Sequence, residues 1–200
     1  MRLNRTTLAR AVLAGVALLT PAIPVPADPI VWTGPSVTFT KPDFADWMLS
    51  ANQDRLTDNV WLTRRQTRPL FNILLEDLAD SSVSPLDTEW AFGPMQPGNS
   101  GPITASNFAN LVFEPFVAAL AHNVGSNVVA YGPGVLHLIS DDVYLDIRFK
   151  SWTQESGGGF SYIRSTPDQS PVPEPATATL LLVGAATGVA VRRRKQHTRG

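Results

Sequence analysis

Residues 143–150 alternate strictly. Val143, Leu145, Ile147 and Phe149 are apolar, and Tyr144, Asp146, Arg148 and Lys150 interleave with them. Successive side chains of a strand point to opposite faces, so this pattern predicts a half-buried antiparallel strand. Ser156-Gly157-Gly158-Gly159 follows, then Phe160-Ser161-Tyr162-Ile163-Arg164. That succession predicts a hairpin closed by a glycine-rich loop. Residues 135–139, set off by Gly132-Pro133-Gly134, read as the strand before it.

Shorter runs rich in β-branched and aromatic residues lie at 30–33, 37–40, 59–63, 88–92 and 110–113, with Pro, Gly, Asn and Asp clusters between them. They predict further strands separated by turns. Residues 70–78 fit either a short helix or a buried strand followed by a turn. Residues 116–122 fit one or two helical turns. Short strands at this spacing predict an all-β domain, an antiparallel β-sandwich of jelly-roll-like kind, with a closed barrel as the alternative.

The two ends break the pattern. In residues 1–27, Arg2, Arg5 and Arg10 precede an apolar core at 11–19 that is too short to anchor, and Val25-Pro26-Ala27 offers small residues for cleavage. This reads as a signal peptide cut after Ala27. Pro21, Pro24 and Pro26 argue against a buried helix there. Residues 176–191 are apolar and uncharged and end at Arg192, Arg193, Arg194 and Lys195. At about 1.5 Å per residue this run spans about 24 Å, so it predicts a transmembrane helix whose basic stop reaches back to the interface. The positive-inside rule keeps that stop cytoplasmic and places everything before residue 176 outside.

Pro173-Glu174-Pro175, the apolar run and the basic cluster stand in this order. The arrangement resembles the PEP-CTERM sorting signal of Gram-negative bacteria. The resemblance implies an exosortase-type membrane protease that cuts at or near the motif and releases or transfers the domain, in cells surrounded by exopolysaccharide. A simple tail anchor that is never cut is the alternative. Residues 59–63, 87–93 and 142–152, with 157–162, are also similar to a recurring, uncharacterised domain of secreted bacterial proteins with sorting tails. No activity goes with that second resemblance. The chain thus divides into a signal peptide (1–27), a β domain (28–165), a Pro-rich linker (166–172) and a sorting tail (173–200).

The ends also change the charge balance. Lys and Arg total 16 against 17 Asp and Glu, yet only Lys41, Arg55, Arg64, Arg65, Arg68, Arg148, Lys150 and Arg164 lie between the two ends. All the carboxylates except Glu174 lie there as well, giving the domain a net charge near −8. That favours solubility and excludes nucleic acid as an expected partner. The chain has no cysteine, so neither a disulfide nor a lipoprotein anchor is available.

Candidate chemistry is sparse. Asp87 with Glu89, and the group Asp141, Asp142 and Asp146, are the nearest thing to the paired carboxylates of a glycosidase, which stand about 5–9 Å apart. Asn52, Asp54, Asp58 and Asn59, with Asp141 and Asp142, could supply oxygen ligands to calcium, but they match no EF-hand spacing. Solvated turns are the plainer reading of both sets. His122 and His137 are too few for zinc without cysteine, and His137 reads as a core or edge residue. No Gly-x-Ser-x-Gly elbow occurs.

Trp32, Trp47, Trp61, Trp90 and Trp152 raise a carbohydrate-binding alternative, with core packing the expectation for Trp61, Trp90 and Trp152. The expectation is a non-enzymatic cell-surface or extracellular-matrix protein with no catalytic residue, metal site or cofactor other than calcium. Its partners are signal peptidase, an exosortase-type protease, the membrane transiently, and exopolysaccharide. A carbohydrate-binding module and a secreted hydrolase are the alternatives.

Overall fold

The computed structural model of the protein describes residues 28–98 and 101–168. The strands are β1 (Ile30–Trp32), β2 (Gly34–Lys41), β3 (Asp54–Arg55), β4 (Trp61–Arg64), β5 (Leu70–Asn72), β6 (Thr88–Phe92), β7 (Pro133–Leu138), β8 (Val143–Trp152) and β9 (Phe160–Thr166). One α-helix, α1 (Val124–Ala130), and four short 3₁₀ turns complete the described elements. The domain is mainly β, with a six-stranded and a three-stranded sheet.

The strand with the clearest alternation, β8, is the centre of the large sheet. It pairs antiparallel with β7 along one edge, from Leu138↔Val143 to Pro133↔Arg148. Its other edge is shared. β1 lies parallel to it at Ile30↔Val143 through Trp32↔Leu145, and β9 lies antiparallel from Ile147↔Arg164 to Trp152↔Phe160. The chain then steps outward, so that β2 pairs with the far side of β9, and β6 closes the opposite end against β7. The small sheet runs β3-β4-β5, antiparallel throughout.

Alternation decides what is buried. Val143, Leu145, Ile147 and Phe149 of β8 enter the main core with Leu136 and Leu138 of β7, Trp90 and Phe92 of β6, and Phe160 and Tyr162 of β9. Leu62 and Leu70 of the small sheet, with Phe116, Leu120 and Val128, meet them from the other side. The sheets therefore share one core. Each large apolar side chain buried there contributes about 1.5–3 kcal/mol. The outer face of the large sheet carries a smaller cluster of Ala91, Val135 and Ala105, packed by Ile103, Leu111, Phe113 and Tyr144.

The expected mainly β fold is observed, and the strands at 30–33, 37–40, 59–63, 88–92, 135–139, 143–150 and 160–164 appear with ends shifted by up to a few residues. One local reading changes and two open ones are resolved. Residues 110–113 form no strand; a 3₁₀ turn at Ala105–Asn110 is followed by extended chain whose bridge to β6 is the isolated Trp90↔Glu114 pair. Residues 70–78 take the strand-then-turn alternative, because Asn72 closes the turn with its own side chain, accepting the N–H of Leu74. Residues 116–122 hold a single 3₁₀ turn, Ala118–Leu120, ended by Ala121 and His122 at positive φ, and α1 follows.

The sheets are unequal, six strands and three, where a jelly roll would divide eight strands between two sheets. Thr166 belongs to β9 rather than to the linker. Among the described residues no helix is long and apolar enough to cross a membrane. The signal peptide, most of the linker and the transmembrane span read from the sequence lie outside the described residues.

Candidate functional site

The sorting residues Pro173, Glu174, Pro175, Arg192, Arg193, Arg194 and Lys195 also lie outside the described residues. Within the domain, the groups able to meet a ligand are set by how its few cations are placed.

Most of the arginines cover tryptophans. The guanidinium carbon of Arg55 stands 3.8 Å from the Trp61 ring centroid, Arg64 3.7 Å from Trp152, Arg65 4.1 Å from Trp47 and Arg164 5.8 Å from Trp32. Such pairs are attractive because a cation meets the negative face of the ring. Trp90, the remaining tryptophan, is wholly buried, stacks on Phe92 and donates its indole N–H to Thr88 Oγ1 at 3.0 Å. Trp61 and Trp152 are half-buried, so the core-packing expectation is met fully at Trp90 and in part at the other two. Each of these half-exposed rings has a face occupied by an arginine of the same chain.

A second arrangement surrounds the glycine loop between β8 and β9. The Gly157 carbonyl accepts the Phe44 N–H at 2.7 Å, the Gly158 carbonyl accepts from Lys41 Nζ at 3.3 Å, and the Gly159 carbonyl accepts from Arg64 Nη1 at 3.2 Å. Asp43 Oδ1 accepts the Gly159 N–H at 2.9 Å. Gly158 has φ +68, and a Cβ there would stand 2.4 Å from the Arg65 carbonyl oxygen. Only glycine combines that left-handed backbone with so close an approach.

Lys41 and Arg64 are each 2% exposed. Burial, then the neighbouring Arg64 charge, holds the Lys41 ammonium below its ordinary range. Burial likewise brings the Arg64 guanidinium down to about 10. Asp43 is held below the usual carboxylate range by hydrogen bonds from the Thr153 side chain and the Gly159 N–H. Beside this loop lies a pocket of about 310 Å³ lined by Lys41, Phe44, Ala45, Asp46, Trp47, Arg65 and Gln66.

Arg164 behaves differently. It forms a bidentate pair with Asp54, and the same carboxylate accepts from the buried Tyr162 hydroxyl at 2.8 Å. Burial, then the Asp54 charge and hydrogen bond, raises the Tyr162 hydroxyl well above its ordinary value. Asp54 is therefore committed inside the core, where a calcium loop would need it free. Asn59 turns instead to Asp141, donating from Nδ2 at 2.8 Å, and Thr57 donates to the same carboxylate at 2.6 Å. Asn52 donates to the Asp46 carbonyl, and Asp58 is exposed. No group of three or more His, Cys, Asp or Glu among the described residues is placed to hold a metal ion.

The remaining candidates separate in the same way. Asp87 precedes β6 at positive φ and accepts from the N–H and hydroxyl of Ser140, fixing a turn, while Glu89 faces His137. His137 is mostly buried, stacked on Tyr144 with centroids 4.1 Å apart, and its Nε2 lies 3.3 Å from Asp142 Oδ1. It sits on the interior strand β7, with Glu89 of β6 on one side and Tyr144 of β8 on the other. His122 is exposed on a separate turn. Asp146 accepts the Ala105 N–H at 2.6 Å and so pins the outer 3₁₀ turn. The residues around Lys41 and Arg65 carried no sequence signal beyond their charge, because one ends a strand of the large sheet and the other follows a strand of the small one.

Comparison with known families matches residues 171–195 to the PEP-CTERM protein-sorting motif. This motif marks an exported protein processed by exosortase. No curated protein and no solved structure matches the chain.

Proposed function

We propose that this chain is a non-enzymatic protein of the cell surface or extracellular matrix, held transiently at the inner membrane and then released or transferred among exopolysaccharide. The observation that carries this reading is the sorting motif at residues 171–195. The domain supports it in kind. Its carboxylates at 54, 87, 141 and 146 are engaged in fixing strands and turns. A glycosidase would instead need two carboxylates facing each other across a cleft. The net negative charge of the domain favours solubility and argues against nucleic acid as a partner.

The test is the intact mass of the protein recovered from its host, combined with its distribution between membrane, medium and extracellular polymer. The expected species lacks residues 1–27 and everything after the Pro173–Pro175 region, and it fractionates with the polymer. A species retaining residues 176–200 in the membrane fraction would overturn the processing, and a protein found only free in the medium would overturn the matrix association.

A further inference from the structure

In a domain with two carboxylates for every cation, Lys41, Arg64 and Arg65 ought to find counter-charges easily. They do not. None of the three has a carboxylate oxygen within 4.0 Å among the described residues. Lys41 and Arg64 are nevertheless almost wholly buried, where an unpaired charge is costly. Lys41 Nζ reaches only two carbonyls, Gly158 at 3.3 Å and Pro42 at 3.5 Å, although an ammonium has three donors. The Arg65 Nε is a buried donor with no partner. Lys41 and Arg65 line the same pocket of about 310 Å³.

The rim of that pocket is unusual as well. Phe44 is 70% exposed and sits at φ 58, a conformation that a bulky side chain seldom adopts. Its N–H bond to Gly157 holds it there. Strain of this kind collects where a ligand is clamped. Trp47 forms another wall, with its ring face already covered by Arg65. The lining thus holds two cations, Lys41 and Arg65, with the Asp46 carboxylate beside them and an aromatic ring at the lip; Arg65 Nη2 already donates to the Asp77 carbonyl.

We propose that this pocket binds the carboxylate of an acidic sugar, with Lys41 and Arg65 receiving the anion and the Phe44 ring supporting the sugar face. The charge count selects the ligand. Lys41, Arg64 and Arg65 stand against Asp43 and Asp46, which leaves one positive charge over and so fits a monoanion rather than a dianionic phosphate. The volume is at the lower end for ligand pockets, enough for a single ring. The source of such a ligand, a uronate unit of an acidic polysaccharide, rests on the matrix reading above.

The test is calorimetric titration of the protein recovered from its host with trigalacturonate, with neutral galactotriose and inorganic phosphate as comparisons. Trigalacturonate binds, its affinity falls as salt rises, and the other two probes bind far less. Arg65→Gln and Phe44→Ala each weaken binding by about tenfold, as loss of a charge-assisted hydrogen bond or of a contact surface does. Phe44 is exposed, so F44A melts close to the parent and keeps the test decisive where R65Q loses stability with its Trp47 contact. Equal binding of galactotriose, phosphate competing as well as trigalacturonate, or undiminished binding by R65Q overturns the site. Its failure is distinguishable from that of the matrix reading. A protein that fractionates with the polymer but does not bind trigalacturonate sinks the pocket alone, whereas trigalacturonate binding by a protein absent from the polymer sinks the matrix reading alone.

Discussion

Asp54 on β3 and Arg164 on β9 are joined by two parallel hydrogen bonds, Nε to Oδ2 at 2.7 Å and Nη2 to Oδ1 at 2.8 Å. Their side chains are 7% and 11% exposed, so the pair lies between the sheets rather than on the surface. Removing one partner of a buried pair leaves the other charge without compensation. Asp54→Ala is expected to lower unfolding free energy by about 3–5 kcal/mol in urea denaturation. A loss below about 1 kcal/mol would mean that the pair is screened like a surface bridge.

The same pair prepares a pH effect at Tyr162. Its hydroxyl is raised well above the ordinary 10.0 by burial and by the Asp54 charge. For a group whose folded value is raised, the stability is fully present below the unfolded value and is lost as pH rises through the folded one. The stability difference between the parent and Tyr162→Phe should therefore be constant up to pH 10 and narrow above it, by up to about 1.4 kcal/mol per pH unit. Denaturation of both proteins at pH 8, 10 and 11 measures this; a difference that widens on the alkaline side contradicts the assignment.

Arginine–tryptophan pairs should differ with burial. Arg55 is exposed over Trp61, while Arg64 is buried over Trp152. Arg55→Ala is expected to cost about 0.5–1 kcal/mol and Arg64→Ala about 2 kcal/mol or more. Thermal melts monitored by tryptophan fluorescence give both values. Equal losses would show that burial does not set the strength of the ring contact.

Gly158 and Gly132 both occupy the left-handed region, at φ +68 and +73, but only Gly158 has backbone against the position of a Cβ. Alanine at either site meets a strain of about 1–2 kcal/mol. Gly158→Ala should exceed Gly132→Ala by about 1–3 kcal/mol, because the Arg65 backbone must move. Matching melting temperatures for the two variants would show that the loop yields freely.

The strands were legible where one face is buried and the other wet. Val143 to Lys150 announces itself because alternation is imposed by the core on one side and water on the other. Residues 110–113 misled for the same reason. Leu111 and Phe113 are apolar because they cover the outer face of the large sheet, not because they pair in it. Helix α1 carries an amphipathic signal too short to read, with only Val128 fully buried. The calcium loop failed at Asp54, whose partner Arg164 lies more than a hundred positions away.

By itself the sequence determined the mainly β character and the sorting motif at 171–195, since both are written in local pattern: period-two alternation in one case, a motif, an apolar run and a basic stop in the other. The tertiary structure alone decided how the charges are used. Which arginine covers which tryptophan, which carboxylate is paired inside, and that Lys41, Arg64 and Arg65 lie together with no carboxylate in ion-pair contact among the described residues, follow from strands that meet across the sheets. Electrostatics acts through space, and spacing along the chain does not record it.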